Sequence, residues 1–136
     1  MIKDNQIKKI WAIVGNIGSR DHLDLFLSRK GLDSIKKLTE EEAEMLISEL
    51  KELQKKADRQ RKRIFSAIRS IKLIAPDEKL SEADVLAYLR QVKGFALPYK
   101  RRLNDYNSQE LSQIIRQLDA VRPKMQKKYR NTLYIQ

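Results

Sequence analysis

Residues 6–14 read QIKKIWAIV and residues 60–68 read QRKRIFSAI, so one order of polar and apolar positions returns 54 residues further along the chain. The stretch LTEEEA at residues 38–43 is likewise matched by YNSQEL at 106–111, now 68 positions on. Because both ends match while the spacing grows, the second copy carries an insertion, between about residues 72 and 99. Repetition on this scale predicts two related structural units.

The apolar positions of both copies recur three and four residues apart, which is the spacing of one face of an α-helix. Gly18 and Gly31 suit the left-handed caps that end two helices of the first copy. Thr39 with Glu42 is typical of a capping box that begins a third helix. We therefore predict three helices in each unit.

Several single residues carry further structural predictions. Trp11, and Phe65 at the corresponding position of the second copy, are placed in the hydrophobic core. The first helix is expected to have Asp4 or Asn5 as its N-cap. Pro123 is expected to end or kink the last helix, because proline lacks the amide that a helix interior needs.

The middle of the chain is polar and free of helix breakers. No Gly or Pro lies between Glu40 and Ala75, and residues 51–63 are mostly helix-forming Lys, Arg, Glu and Gln. Since apolar positions thin out there, the segment is either a solvated connecting helix or a frayed joint, and its composition favours the helix. The predicted fold is all-α, with two related three-helix units joined by a long polar connecting helix and followed by a basic C-terminal tail. The first unit is placed at residues 1–57, the second at 58–122 and the tail at 123–136.

The net charge of +11 belongs to the second half of the chain. Residues 1–58 hold 11 Lys and Arg against 11 Asp and Glu, whereas residues 59–136 hold 18 against 7. Such asymmetry points to a polyanionic partner, either nucleic acid or an acidic membrane surface. No stretch approaches the roughly 18 apolar residues of a membrane span, no signal-peptide pattern opens the chain, and there is no Cys. We expect a soluble protein of the bacterial cytoplasm, with DNA as its polyanion and no membrane partner.

Residues that carry catalysis or bind metals are scarce. His22 is the only histidine, and without Cys it cannot complete the usual zinc ligand sets. Carboxylate pairs such as Asp21 and Asp24 have no recognisable base or nucleophile beside them. The GNIG of residues 15–18 lacks the Lys-Ser or Lys-Thr of a phosphate-binding loop. The sequence therefore predicts a protein that is not an enzyme and uses no metal or cofactor.

Basic residues cluster in the connector, before the last helix and in the tail, with Tyr99 and Tyr129 among them. Lys and Arg neutralise phosphates, which gives salt-sensitive affinity without sequence information. For the connector, a solvated helix face that pairs with Glu52 and Asp58 is an equal alternative, and for the tail the alternative is disorder. The predicted nucleic-acid-binding residues are Lys55, Lys56, Arg59, Arg61, Lys62, Arg63, Lys100, Arg101, Arg102, Lys124, Lys127, Lys128 and Arg130.

Over most of residues 6–120 the chain resembles the GemA regulatory-protein family of Mu-like bacteriophages and prophages. The likeness includes KIW at residues 9–11, ADVLAYL at 83–89 and QIIRQL at 113–118. The chain departs from that family at Trp11 and Arg102, where the family usually has His and Trp. The resemblance implies a small phage-type regulator that affects host gene expression and DNA topology through host gyrase, with no catalytic residues to carry over.

Together these patterns predict a non-enzymatic regulator that binds DNA largely without sequence specificity and modulates host gene expression or DNA topology. The neutral first unit suits protein contacts, and only the second unit is a good candidate for touching DNA. The alternative is a protein-only adaptor or inhibitor that docks on an acidic surface of a host enzyme such as gyrase.

Overall fold

A computed structural model of the chain describes residues 1–75, 77–92, 94–95 and 97–134, with the backbone alone at residue 125 and at residues 128–134. None of these residues forms a β-strand, and the predicted all-α class is confirmed. Residues 51–63 lie within one long helix. Among the described residues the α-helices are α1 (Asp4–Ile17), α2 (Asp21–Arg29), α3 (Glu40–Lys72), α4 (Glu82–Gln91) and α5 (Ser108–Tyr134), with short 3-10 turns at Ile35–Lys37 and Leu103–Asp105.

Two compact units divide the chain. The first consists of Met1–Ala57 together with Asn104–Asn107, and the second of Asp58–Leu103 together with Ser108–Gln136. Helix α3 passes from the first unit to the second between Ala57 and Asp58. The segment Asn104–Asn107 reaches the first unit from far along the sequence, so that unit is not built from one continuous stretch.

The core of the first unit is formed by α1, α2 and the first part of α3. Gln6 is buried with it, and its side-chain amide donates to Glu44 Oε1 at 2.8 Å and to the Glu40 carbonyl at 3.2 Å. Since a buried amide without partners is costly, these bonds make Gln6 a specific link between α1 and α3. The buried apolar side chains include Ile10, Ile13, Val14, Ile17, Leu23, Phe26, Leu27, Leu38, Ala43, Leu46, Ile47 and Leu50.

Trp11 is not in this core, contrary to the prediction from the repeat. Its side chain is 39% exposed, and the Arg20 guanidinium lies 4.9 Å from its ring centroid. Phe65 is only half-buried. Ile10 and Ile64, one residue earlier in each copy, are fully buried. The two aromatic residues therefore lie at the edge of the inward helix face, where burial is incomplete.

The predicted caps of the first unit are largely confirmed. Gly18 and Gly31 both have left-handed backbones, with φ of 75° and 68°. The Glu42 amide donates to Thr39 Oγ1 at 3.1 Å, and the Thr39 amide donates to Glu42 Oε1 at 3.0 Å. The N-cap predicted for α1 is wrong: Asp4 is already helical, and Lys3 is the cap, its amide donating to Gln6 Oε1 at 2.9 Å.

Replacing Thr39 with alanine should lower the free energy of unfolding by about 1 kcal/mol, because the Glu42 amide loses its acceptor. Urea unfolding measures this loss. Thr39→Ser keeps the hydroxyl and should retain most of the stability. Equal losses in the two variants would contradict the capping role.

The same capping box makes stability depend on pH. The hydrogen bond from the Thr39 amide lowers the pKa of Glu42, so its contribution is present above the ordinary carboxyl pKa and is lost as the pH falls through the folded value. At the start of α4, hydrogen bonding of the Asp84 carboxylate with the side chain and the amide of Ser81 lowers the pKa of Asp84 in the same way. Wild type should therefore exceed Glu42→Gln in melting temperature at neutral pH, and the gap should close in acid. A gap that persists in acid would contradict this assignment.

The interior of the second unit is lined by α3, α4 and α5. Gln60 of α3 donates to the Ser108 carbonyl at 3.1 Å and to Ser112 Oγ at 2.8 Å, and so fixes the start of α5. The buried apolar side chains include Ile64, Ile68, Ile71, Val85, Leu89, Leu111, Ile114 and Leu118, together with Tyr88.

Pro123 was expected to end or kink the last helix; helix α5 continues through it, so the proline does not end the helix. Beyond the proline, the Gln126 side-chain amide donates to Ser70 Oγ at 2.7 Å and to the Ser70 carbonyl at 3.1 Å. These bonds hold α5 to α3 on the far side of Pro123 and offset the lost backbone hydrogen bond. The described part of the predicted tail is accordingly helical.

Candidate polyanion-binding surface

The basic residues of helix α3 differ in solvent exposure within the second unit. Arg61 is only 7% exposed, and its Nη1 lies 3.2 Å from Asp58 Oδ1. Burial lowers the pKa of Arg61, and the neighbouring Asp58 carboxylate opposes that shift. Arg59 and Lys62 are exposed and, being three residues apart, are neighbours on the outer face of the helix. Arg61 therefore lies outside the exposed surface that was predicted for it.

Ion pairs occupy two more of the predicted binding residues. Arg63 Nη2 lies 3.0 Å from Asp119 Oδ2 on α5, and Lys100 Nζ lies 3.1 Å from Glu110 Oε1. The Lys100 pair is mostly shielded from solvent, since the two side chains are 30% and 19% exposed. These cations face acids of their own unit and are less available to an external anion.

Exposed cations remain on the surface of the second unit. Within the described ranges, no acidic group forms an ion pair with Arg59, Lys62 or Arg101. Lys124 and Lys127 on α5 are exposed as well. These predicted residues are therefore more available to an external anion than Arg63 and Lys100.

Of the other predicted binding residues, two lie in the first unit and two have side chains outside the described residues. Lys55 and Lys56 belong to the first unit and are exposed, and Lys55 Nζ lies 3.4 Å from Glu52 Oε1. The side chains of Lys128 and Arg130 are outside the described residues.

A cleft of about 400 Å³ lies along the outer side of α4. Three arginines, Arg90, Arg101 and Arg102, line it together with one acid, Glu82. Glu82 Oε1 accepts a hydrogen bond from the Leu103 amide at 2.6 Å, so this carboxylate is held by the backbone. The remaining lining residues are Ala83, Leu86 and Ala87. The cleft thus combines an apolar floor with a surplus of arginine.

An aromatic pair lies next to this cleft. The rings of Phe95 and Tyr99 are stacked, with centroids 5.5 Å apart and planes 15° from parallel. Tyr99 is 52% exposed, its hydroxyl donates to the Arg90 carbonyl at 3.2 Å, and Arg90 Cζ lies 6.0 Å from its ring centroid. Sequence reasoning placed Tyr99 among basic residues but missed Phe95 and Arg90. The apolar spacing of α4, with Val85 and Leu89 buried, could have indicated that Arg90 is exposed.

A second groove, of about 590 Å³, follows α3 and is lined by Asp58, Arg61, Lys62, Phe65, Ser66 and Arg69. Arg69 Nη1 donates to the carbonyls of Ala75 at 3.1 Å and Glu78 at 2.5 Å, which holds the connection between α3 and α4. Arg61 and Arg69 form bonds within the unit, so Lys62 is the exposed cation among the described residues that line this groove.

The described residues contain no cluster of three or more His, Asp or Glu that could hold a metal ion. His22 Nε2 instead lies 2.8 Å from Glu49 Oε2. No helix in the described ranges is long and apolar enough to cross a membrane.

Comparison of the chain with protein-family models, with curated proteins and with solved structures finds no match. The resemblance to the GemA family therefore stays a prediction from the residues alone.

Proposed function

We propose that the second unit binds DNA through its exposed cations and does not read the base sequence. The observation that supports this most directly is that some of its basic residues form ion pairs within the unit, whereas others are exposed. Arg63 and Lys100 face acids, whereas Arg59, Lys62 and Arg101 are exposed without ion-pair partners among the described residues. Cations in that position neutralise phosphates and release counterions, which gives salt-dependent affinity. Contacts to phosphates carry no sequence information by themselves.

Binding of this kind suits a small non-enzymatic regulator that alters host gene expression or DNA topology, as the GemA resemblance implies. The neutral first unit would then contact proteins. A second candidate function is docking on an acidic surface of a host enzyme such as gyrase. The apolar floor of the α4 cleft at Ala83, Leu86 and Ala87 favours it, because phosphates need no apolar contact.

Neutralising Arg59 and Lys62 together should weaken duplex DNA binding about tenfold at low salt. Log affinity falls as log salt rises, and each lost phosphate contact makes this slope shallower by about 0.9. The loss of two contacts should therefore make it shallower by about 2. Fluorescence anisotropy of a labelled duplex, titrated with wild type and with the Arg59→Gln, Lys62→Gln double variant at several salt concentrations, measures both changes.

The matched control is the double variant Arg63→Gln, Lys100→Gln, which removes the same amount of charge from ion-paired positions. It should keep most of the wild-type affinity and slope, with circular dichroism verifying that it folds. Equal losses in both double variants would mean that net charge alone matters, not the placement of the exposed cations. Absence of salt-sensitive binding up to micromolar protein would remove the DNA proposal in favour of the protein partner.

A further inference from the structure

Tyr99 differs from the other tyrosines whose side chains the structure describes within the second half of the chain. Tyr88 and Tyr106 are 2% and 1% exposed, as expected for large rings that stabilise a core. Tyr99 is 52% exposed and still has a defined orientation, because Phe95 stacks on it and its hydroxyl donates to the Arg90 carbonyl. The ring is therefore held in place at the surface instead of being buried.

The charges around this ring are positive. The Arg90 guanidinium lies near the ring, and Arg90 also lines the α4 cleft with Arg101 and Arg102. Glu82, the one acid among the described residues that line the cleft, accepts a hydrogen bond from the Leu103 amide. An aromatic platform flanked by arginines provides both contacts that an unstacked nucleotide needs: a surface for the base and cations for the phosphates on either side.

We infer that Tyr99 is a stacking platform for an unpaired base and that Arg90 and Arg101 hold the adjacent phosphates, so the second unit prefers single-stranded DNA to duplex. In a duplex the faces of the bases are covered by their neighbours, so an aromatic ring has no free base to stack on, whereas the phosphates stay accessible. The exposed residues Arg59 and Lys62 contact phosphates in both forms of DNA, whereas the ring of Tyr99 adds affinity for the single strand alone. The apolar floor of the cleft at Leu86 gives a splayed base a further contact. This inference rests on the proposed DNA binding of the same unit.

The test compares a labelled 15-nucleotide oligo-dT with a labelled 15-base-pair duplex, titrated in parallel by anisotropy against wild type, Tyr99→Ala and Tyr99→Phe. Wild type should bind the single strand more tightly. Tyr99→Ala should lose about tenfold in affinity for the single strand, consistent with the loss of one stacked base, and little for the duplex. Tyr99→Phe keeps the ring and should stay within about threefold of wild type on both probes.

An abasic oligonucleotide of equal length separates stacking from charge. Wild type should bind it about as weakly as Tyr99→Ala binds oligo-dT, and the alanine substitution should then have no further effect. Melting curves of each variant verify folding, and since Tyr99 is half exposed we expect them to be close to wild type.

Three results would overturn the inference: equal affinity of wild type for both DNA forms, equal losses on both probes in Tyr99→Ala, or undiminished binding of the abasic strand. Duplex binding in the same titration reports on the proposed function itself. Retained duplex binding without a single-strand preference overturns the stacking role alone, whereas failure to bind either DNA overturns both proposals.

Discussion

Replacing Gly18 with alanine should lower the free energy of unfolding by about 2–4 kcal/mol, from backbone strain and steric overlap together. Gly18 ends α1 at φ of 75°, a conformation that costs an L-residue about 1–2 kcal/mol. A Cβ there would also lie 2.8 Å from the Asn104 carbonyl oxygen and 3.0 Å from the carbonyl carbon and oxygen of Tyr106. These atoms are backbone, so no rotamer change relieves the clash. The segment Asn104–Asn107 would have to move away from the end of α1.

Gly31→Ala is the matched control for Gly18→Ala. Gly31 has nearly the same backbone, with φ of 68°, but a Cβ there meets nothing within 4 Å. Gly31→Ala should therefore cost only the conformational part, about 1–2 kcal/mol, and so less than Gly18→Ala. Urea unfolding of the two variants measures the difference. Equal losses would show that the approach of Asn104 and Tyr106 to Gly18 contributes nothing to stability.

Gly18 also illustrates what sequence can and cannot predict in this chain. Its role as a helix cap was predicted because the signal is local: an apolar stripe that ends at Ile17 and is followed by glycine. The capping pair of Thr39 with Glu42 was predicted for the same reason. The contact of Gly18 with Asn104 has no such signal, because it joins residues far apart in sequence.

Trp11 marks the limit of the periodic pattern. Successive residues of a helix lie about 100° apart, so a broad apolar stripe does not decide which of Ile10 and Trp11 points to the centre of the core. The structure buries Ile10 fully and leaves Trp11 at the edge beside Arg20. Matching Trp11 to Phe65 in the second copy did not decide which residue is buried, since Phe65 also follows a fully buried isoleucine, Ile64.

The candidate site was predicted by composition and is refined by geometry. The excess charge of the second half is visible in the sequence. The acids that face Arg63 and Lys100 are Asp119 and Glu110, both on α5, and these pairings are not visible there. The Arg63 pair depends on how α5 packs on α3, and the Lys100 pair depends on the path of the chain before α5. The stacking of Phe95 on Tyr99 is similarly invisible in composition, because it depends on the path of the chain after α4.

Arg61→Ala should destabilise the protein by about 2–3 kcal/mol while leaving the DNA affinity of the folded molecule unchanged. Arg61 is 7% exposed, so truncation removes a buried aliphatic stem as well as the ion pair with Asp58. The figure stays below that for breaking a fully buried pair, because the Asp58 side chain is 52% exposed and water can solvate it once Arg61 is gone. Arg61→Met keeps much of the stem and should recover part of the loss.

Lys62→Ala is the neighbouring substitution with the opposite expected result. Lys62 is exposed, so its loss should change stability by less than about 0.5 kcal/mol. It should nevertheless make the negative slope of log affinity against log salt shallower by about 0.9, because one phosphate contact is lost.

Urea unfolding and salt-dependent anisotropy are carried out on both variants at a temperature where each is folded. They give the free energy of unfolding and the salt slope of each variant. If Arg61→Ala lowers the salt slope as much as Lys62→Ala does, Arg61 contacts DNA and burial does not separate the two residues. If instead the effects divide as expected, adjacent basic residues of one helix have separate roles: Arg61 stabilises the second unit and Lys62 contacts the anion.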